Sequence, residues 1–261
     1  MQKLLGIVVT TLGERSSLLQ TLQSLDNLPE SILITVVSPK ADNDEFKFWV
    51  RSIITSQQVN FAIDGKQGIY HAFNIGLASS DTDWIFFLND DDELNTGEIH
   101  FVLNSLKSST ANVHFYSFMQ GNRSFLPIKI QQQDQFEKYL TRGRMLSSHQ
   151  SQIWNRDFVL KLQGYRTKIK VLRIPKTINL YISSDLDFYV RAEIKIGDYK
   201  MFDNALARVG EAGISEIRKY RRVIENNLIL YENGKISIFK GVLNLSYLYL
   251  KFIKRSVRSD N

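Results

Sequence analysis

Apolar and polar positions change period several times along the first third of the chain, and each period predicts an element. Residues 4–9 form a short apolar run rich in β-branched side chains, the pattern of a strand buried on both faces. Behind Ser16, a residue able to cap a helix, Leu18, Leu19, Leu22 and Leu25 recur at near-helical spacing. Residues 32–37 predict a second strand, ended by Ser38-Pro39. Phe46, Trp49, Ile53 and Ile54 share one face of a helix that Asp42 can cap. A third strand is expected over residues 59–63, then a helical stretch over 68–78 carrying Ile69, Ala72, Phe73 and Leu77. Residues 84–88 are apolar without a break, and they run straight into Asn89-Asp90-Asp91-Asp92-Glu93. Strands and helices alternating at this pace predict an α/β fold, a Rossmann-like, mostly parallel sheet with helices on both faces.

Past Thr96, expected to cap another helix, the pattern loosens. Residues 113–118 are strand-like, and Gln131-Gln132-Gln133 reads as loop. Ile217, Tyr220, Ile224, Leu228 and Tyr231 repeat at three- and four-residue steps, which predicts a helix closed by Gly234 in the left-handed position. In residues 238–258 a helical projection gathers Val242, Leu245, Leu248, Tyr249, Phe252 and Ile253 on one side. Lys240, Lys251, Lys254, Arg255 and Arg258 gather on the other. That pattern suits a helix lying on an anionic membrane surface, and it equally suits a helix packed on its own domain with a solvated basic face. An apolar tail face would also serve a homodimer. No apolar run is long enough to cross a bilayer. With no repeat and no long linker, residues 1–235 are expected to form one domain, with a nucleotide and metal half over about 1–110 and an acceptor half over about 111–235. C-terminal amphipathic helices follow, and residues 236–261 form a basic tail.

Composition narrows the chemistry. A chain of 261 residues with no cysteine excludes a disulfide scaffold, a thiolate zinc site, an iron–sulfur cluster and a cysteine nucleophile. The N-terminal apolar run is too short for a signal peptide, so a cytoplasmic protein is expected. Thirty-three basic against 27 acidic side chains leave a net charge of +6, which points to an anionic partner. Because the basic residues cluster in the tail and the aromatics sit mainly in apolar runs, nucleic acid is not that partner.

The acidic cluster after the fourth strand carries the most chemistry. In open α/β sheets ligands bind at the carboxyl ends of the strands. Three adjacent carboxylates repel one another there, and a divalent cation relieves the repulsion. Hard oxygen ligands suit Mg²⁺ or Mn²⁺, which can also bridge a diphosphate. A polar turn in which an Asp caps the next helix accounts for the same residues.

Five stretches together carry a family likeness. They are Val8-Val9-Thr10-Thr11-Leu12-Gly13-Glu14-Arg15 with the leucines behind it; Asp64-Gly65-Lys66-Gln67-Gly68-Ile69-Tyr70-His71-Ala72-Phe73-Asn74-Ile75-Gly76; residues 84–92; Ser148-His149-Gln150; and Ile182-Ser183-Ser184-Asp185-Leu186-Asp187-Phe188 with Gly213-Ile214-Ser215. In this order, over roughly residues 4–216, the chain resembles a bacterial family 2 glycosyltransferase of the GT-A fold, the type that builds O-antigen, capsule or colanic-acid polysaccharides.

The resemblance implies transfer of a sugar, with inversion, from a nucleotide-diphosphate-sugar donor to a hydroxyl of a saccharide acceptor on a lipid diphosphate carrier. It implies Asp91 as the direct ligand of Mg²⁺ or Mn²⁺, with Asn89 at the first position of the metal motif acting through water. Asp90 and Asp92 would support Asp91 or bind donor hydroxyls, and Asp185 would be the general base, where a helix-capping role accounts for the same residue. By its spacing alone, Asp187 is expected to pair with Arg191 four residues on. Thr10, Thr11, Glu14, Asp64 and Lys66 would meet the base and ribose, and Asn74 would help hold the nucleotide. His149 would contact the diphosphate or the acceptor, unless it is a hydrogen-bonded structural residue. Two departures stand out: the second strand ends in Val37-Ser38-Pro39 where the family has an Asp-rich turn, and Lys66 replaces a usual Asp, where its ammonium would suit a phosphate. An inactive nucleotide-sugar-binding scaffold of the same fold therefore stays open. So does a metal-dependent nucleotidyltransferase, although no glycine-rich phosphate loop lies near the first strand. A lipid-linked acceptor places the protein at the cytoplasmic face of the bacterial inner membrane.

Overall fold

The apolar runs become the centre of one mixed sheet. The computed structural model describes residues 3–13, 15–56, 58–65, 67–170, 177–210, 219–237 and 239–241. Strands β1 (Lys3–Thr10), β2 (Ile32–Ser38), β3 (Val59–Ile63) and β4 (Thr82–Asn89) lie parallel, in the order β3-β2-β1-β4. The crossovers carry α1 (Arg15–Ser24), α2 (Asp44–Ile53) and α3 (Ile69–Ser79). β4 shows why its sequence has no polar alternation. Trp84, Phe86 and Leu88 pack on one face with Leu18, Leu22, Phe46 and Val50 of the first two helices. Ile85 and Phe87 pack on the other with Phe73 and Leu77 of α3. Helix α3 lies directly on β1, because a Cβ at Gly76 would stand 2.2 Å from Val8 Cγ1.

Helix starts differ in detail from the sequence reading. Asn43 caps α2 in place of Asp42, accepting the Phe46 N–H at 2.9 Å. Helix α1 begins at Arg15, which puts Ser16 inside its first turn. Thr96 opens a 3₁₀ turn (Thr96–Glu98) that runs into α4 (Ile99–Lys107). The glutamine patch is only partly loop, since Gln133 starts α5 (Gln133–Leu140).

The second half extends the same sheet. β6 (Val113–Gln120) and β11 (Tyr199–Arg208) run with the first four strands, whereas β8 (Gln152–Asn155) is inserted antiparallel between β4 and β6. β5 (Glu93–Leu94) closes the acidic turn onto the end of β11, and β7 (Arg123–Phe125) folds back on β6. A separate two-stranded ribbon, β9 (Lys168–Lys170) with β10 (Thr177–Asn179), leads to α7 (Ser184–Arg191). Helix α6 (Arg156–Lys161) follows β8.

Helix α8 (Lys219–Glu232) forms where the periodicity predicts it and ends with Gly234 at φ 68°. Its inward face is rotated from the expected one. Tyr220 and Ile224 are each 46% exposed, while Glu225, Asn227, Ile229 and Leu230 are buried. A carboxylate turned inward to meet backbone amides sets that rotation, as the active site shows. The expected basic tail helix and Gly213-Ile214-Ser215 lie outside the described residues, apart from residues 239–241.

Candidate active site

The register Thr10↔Asn89 aligns the carboxyl ends of β1 and β4, so their following loops meet at one edge of the sheet. There the Thr11 hydroxyl donates to Asp90 Oδ2 at 2.6 Å and accepts the Gly13 N–H at 2.8 Å. Thr10 and Thr11 are buried. Asp64, at the end of β3, is 6% exposed; its N–H reaches the Ser38 carbonyl and its Oδ1 lies 3.1 Å from His71 Nδ1. Thr10, Thr11, Asp64 and Asp90 thus come together at the strand ends. Glu14 and Lys66 lie outside the described residues.

Each member of the acidic turn has a different environment. Asn89 is half-buried, and its Oδ1 is enclosed without a hydrogen-bond partner. Asp91 is exposed. Asp92 turns inward, 1% exposed, and accepts the Gly210 N–H at 3.0 Å just past β11. Burial, with the Asp91 charge beside it, pushes the Asp92 carboxyl up to about 7. Asp92 therefore ties the turn to Gly210, which leaves Asp91 the carboxylate directed to solvent. Among the described residues no three acidic or imidazole groups converge as a complete metal site. The donors present are hard oxygens, and the enclosed, unpartnered Asn89 Oδ1 beside Asp91 fits one side of a Mg²⁺ or Mn²⁺ ion.

A cavity of about 530 Å³ runs from Asn89 past His149 to Asp185 and α8. Asp185 is half-buried in its wall, in the first turn of α7. Burial pushes its carboxyl up to about 6, against hydrogen bonds from the Leu186 N–H (2.7 Å) and the Tyr70 side chain and the field of Arg222. The Tyr70 hydroxyl divides its one proton between Asp185 and the Ile182 carbonyl, which lies 2.7 Å away. Glu225 of α8, 2% exposed, fixes the same segment: its Oε2 accepts the N–H groups of Tyr181 (3.2 Å), Ile182 (2.9 Å) and Ser183 (3.0 Å). Arg221 balances that charge at 2.8 Å. Asp187 has the structural role expected of it, fully buried and paired with Arg191 at 2.9 Å, and Arg166 joins it from across the fold.

Two predicted ligand residues are engaged elsewhere. Asn74 Nδ2 donates to the Tyr165 carbonyl at 2.8 Å and its Oδ1 accepts the Tyr165 N–H at 2.8 Å, so its amide holds the loop at Tyr165. His149 Nε2 lies 2.9 Å from the Tyr165 hydroxyl, and its ring stacks on Phe73 at 5.0 Å. Burial lowers its imidazole to about 4, so it is neutral near pH 7. It nonetheless lines the cavity. Sequence reasoning missed the roles of Tyr70, Tyr165 and Glu225. Tyr70 stood inside a recognised motif, whereas Tyr165 and Glu225 carried no local signal.

Comparison with known proteins agrees with this geometry. Residues 6–170 match the sequence profile of glycosyl transferase family 2. The chain is similar to the solved structure of S. aureus TarS 1–349, with a TM-score of 0.60 and 12% identity, over 93% of this chain and 69% of that one. A complex of TarS 1–349 with UDP-GlcNAc gives a TM-score of 0.59 at 12% identity, over 93% and 70%. Mannosyltransferase PcManGT from Pyrobaculum calidifontis, in complex with GDP-Man and Mn²⁺, gives 0.59 at 11% identity, over 91% and 66%. At such identities the likeness shows a shared fold. No curated protein matches the chain by sequence.

Proposed function

The chain belongs to glycosyl transferase family 2 and is a glycosyltransferase; on that premise we propose that it transfers a sugar, with inversion, from a nucleoside diphosphate to a saccharide hydroxyl, using Asp185 as general base. The observation that carries this reading is the single cavity joining Asn89 at the strand ends to Asp185, whose carboxyl sits at about 6. Inversion by direct displacement needs the leaving diphosphate on one side of the anomeric carbon and the activated hydroxyl on the other. A carboxylate with a raised pKa is a better proton acceptor than an ordinary one, while still ionised at pH 7.

Donor binding falls to the strand ends. Thr10, Thr11, Asp64 and Asp90 line the place for base and ribose, with Glu14 and Lys66 as further candidates. Asp92 shapes the turn and Asn74 the loop behind it. The residues that would hold a divalent cation are Asp91 and Asn89. Bound there, Mg²⁺ or Mn²⁺ supplies positive charge to the departing diphosphate. The solved complexes of similar fold with UDP-GlcNAc and with GDP-Man and Mn²⁺ support this reading.

The acceptor proposed is a saccharide on a lipid diphosphate carrier, used in making a cell-surface polysaccharide, with the basic tail as its membrane contact. Among the described residues no helix is long and apolar enough to cross a membrane. Flotation with anionic liposomes that is lost on deleting residues after Lys235 is the expected result; equal flotation of the shortened chain would remove the anchor. For the reaction itself, release of nucleoside diphosphate from UDP-GlcNAc, GDP-mannose and related donors is to be followed with a lipid-linked saccharide fraction present. Turnover of at least one donor by the parent chain, absent in Asp185→Asn, is expected. Full turnover by Asp185→Asn would remove the base assignment.

A further inference from the structure

Among the described residues, the cavity that holds Asp185 is lined by three aromatic side chains besides His149, and they differ in what covers them. Tyr70 and Phe73 are buried in a cluster of rings: Phe73 lies 6.0 Å from Tyr70 and 4.8 Å from Phe87, and Tyr165 stands 5.6 Å from Tyr70. Tyr181 is 48% exposed and packs against no other ring among the described residues. Its orientation is fixed all the same. Glu225 Oε2 accepts its N–H at 3.2 Å, and its phenol oxygen accepts Asn179 Nδ2 at 3.2 Å. The Arg221 guanidinium covers one face of the ring, 3.9 Å from the centroid, and is tied to Glu225 at 2.8 Å. One carboxylate of α8 therefore holds both the Tyr181 backbone and the cation over its ring.

A ring held this way is an ordered apolar plate in a cavity whose other linings include Asn89, Ser148, Gln150 and Asn226. Ordering a side chain costs entropy, and a plate ordered in advance spares a ligand that cost on binding. The face of an aromatic ring is electron-rich. The C–H bonds on one face of a pyranose form an apolar patch of slight positive charge, which matches it. We propose that the second face of Tyr181 receives a sugar ring of the acceptor, stacked through its C–H face. This assignment rests on Asp185 being the general base, because the base must face the acceptor. Tyr181 stands four positions before Asp185, a reach of at most about 14 Å, so the plate lies within a short saccharide of the base. The nucleotide side of the cavity is elsewhere, where Thr11 and Asp90 meet at the strand ends.

The test is proton magnetic resonance of the methyl glycosides of glucose, galactose, mannose, rhamnose and N-acetylglucosamine with the full chain, beside binding of UDP and GDP with Mn²⁺. At least one glycoside should receive saturation transfer mainly on the C–H protons of one face, and the ring should shift those protons upfield. Tyr181→Phe keeps the plate and should keep both signals. Tyr181→Leu should remove the upfield shift and weaken the glycoside by roughly three- to tenfold, with melting temperature and nucleotide affinity held. Tyr181→Trp, which does not depend on the leucine variant folding, should show an emission change with the same glycoside that the parent lacks. No upfield shift for any glycoside in the parent overturns the site, as does a shift that survives Tyr181→Leu or a silent Tyr181→Trp. Loss of nucleotide affinity in Tyr181→Leu would make the ring a partner of the nucleotide base and also overturn it. If the parent stacked a glycoside on Tyr181 but bound no nucleotide, the transferase reading would fail and the sugar site would stand.

Discussion

Glu225 Oε2 accepts the Ser183 N–H at 3.0 Å, two residues ahead of Asp185. With the amides of Tyr181 and Ile182 on the same carboxylate, α8 fixes the approach to Asp185. Glu225→Ala would strand these donors, at about 1–3 kcal/mol for each amide left unsatisfied. A drop of several degrees in melting temperature is expected, with kcat lowered by roughly ten- to a hundredfold and donor affinity held. Glu225→Gln should recover part of both. Wild-type turnover by Glu225→Ala would show that the segment positions itself.

Asp185 predicts a pH profile. Its folded pKa of about 6 lies above its ordinary 3.8, so the folded chain binds this proton more tightly than the unfolded chain. The stability it contributes is full at low pH and is lost as pH rises through the window from about 4 to about 6. Turnover runs the other way, falling about tenfold per pH unit below 6 as the base is protonated. Asp185→Asn should abolish transfer, keep donor binding and melt no lower than the parent at pH 7.5. A rate that stays flat from pH 7 to pH 5 would contradict the assignment.

Asn74 separates structure from ligand binding. Its two hydrogen bonds to Tyr165 cross 91 positions of sequence, and they meet the chain beside Gly164 at φ 64°. Each is worth about 1 kcal/mol, so Asn74→Ala should lower the melting temperature by roughly 4–8 °C with nucleotide affinity intact. A variant of parental stability with lost affinity would return Asn74 to the donor site.

What the sequence revealed depended on the range of the interaction. β1, β2 and β4 were legible because each buries both faces and so reads as a nearly continuous apolar run, whereas the edge strand β3 is only partly buried and showed as a short, mostly apolar segment. The Asp187–Arg191 pair was legible because four residues span one helical turn. Arg166, which completes it, stands 21 positions away and left no local trace. The antiparallel direction of β8 is set by β4 and β6 on either side, and no local pattern reveals it. The rotation of α8 was hidden for a similar reason. Periodicity assumes that apolar residues choose the inward face, whereas here Glu225 does, because three amides of the α7 approach need an acceptor. Family motifs singled out Asp185 and Asn89, which line one cavity, but they could not show that Asn74 and His149 face Tyr165.

Sugar transfer as proposed requires the strand ends to bind a nucleoside diphosphate together with a divalent cation. Melting of the full chain with UDP and with GDP, each with and without Mn²⁺, tests it most directly, with Asp91→Asn alongside. Ligand at a hundred times its dissociation constant stabilises by about 2.7 kcal/mol, a rise of roughly 5–10 °C for a chain of this size. Such a rise is expected for at least one nucleotide, dependent on Mn²⁺ in the parent and without that dependence in Asp91→Asn. No shift by either nucleotide, with or without the metal, would contradict it.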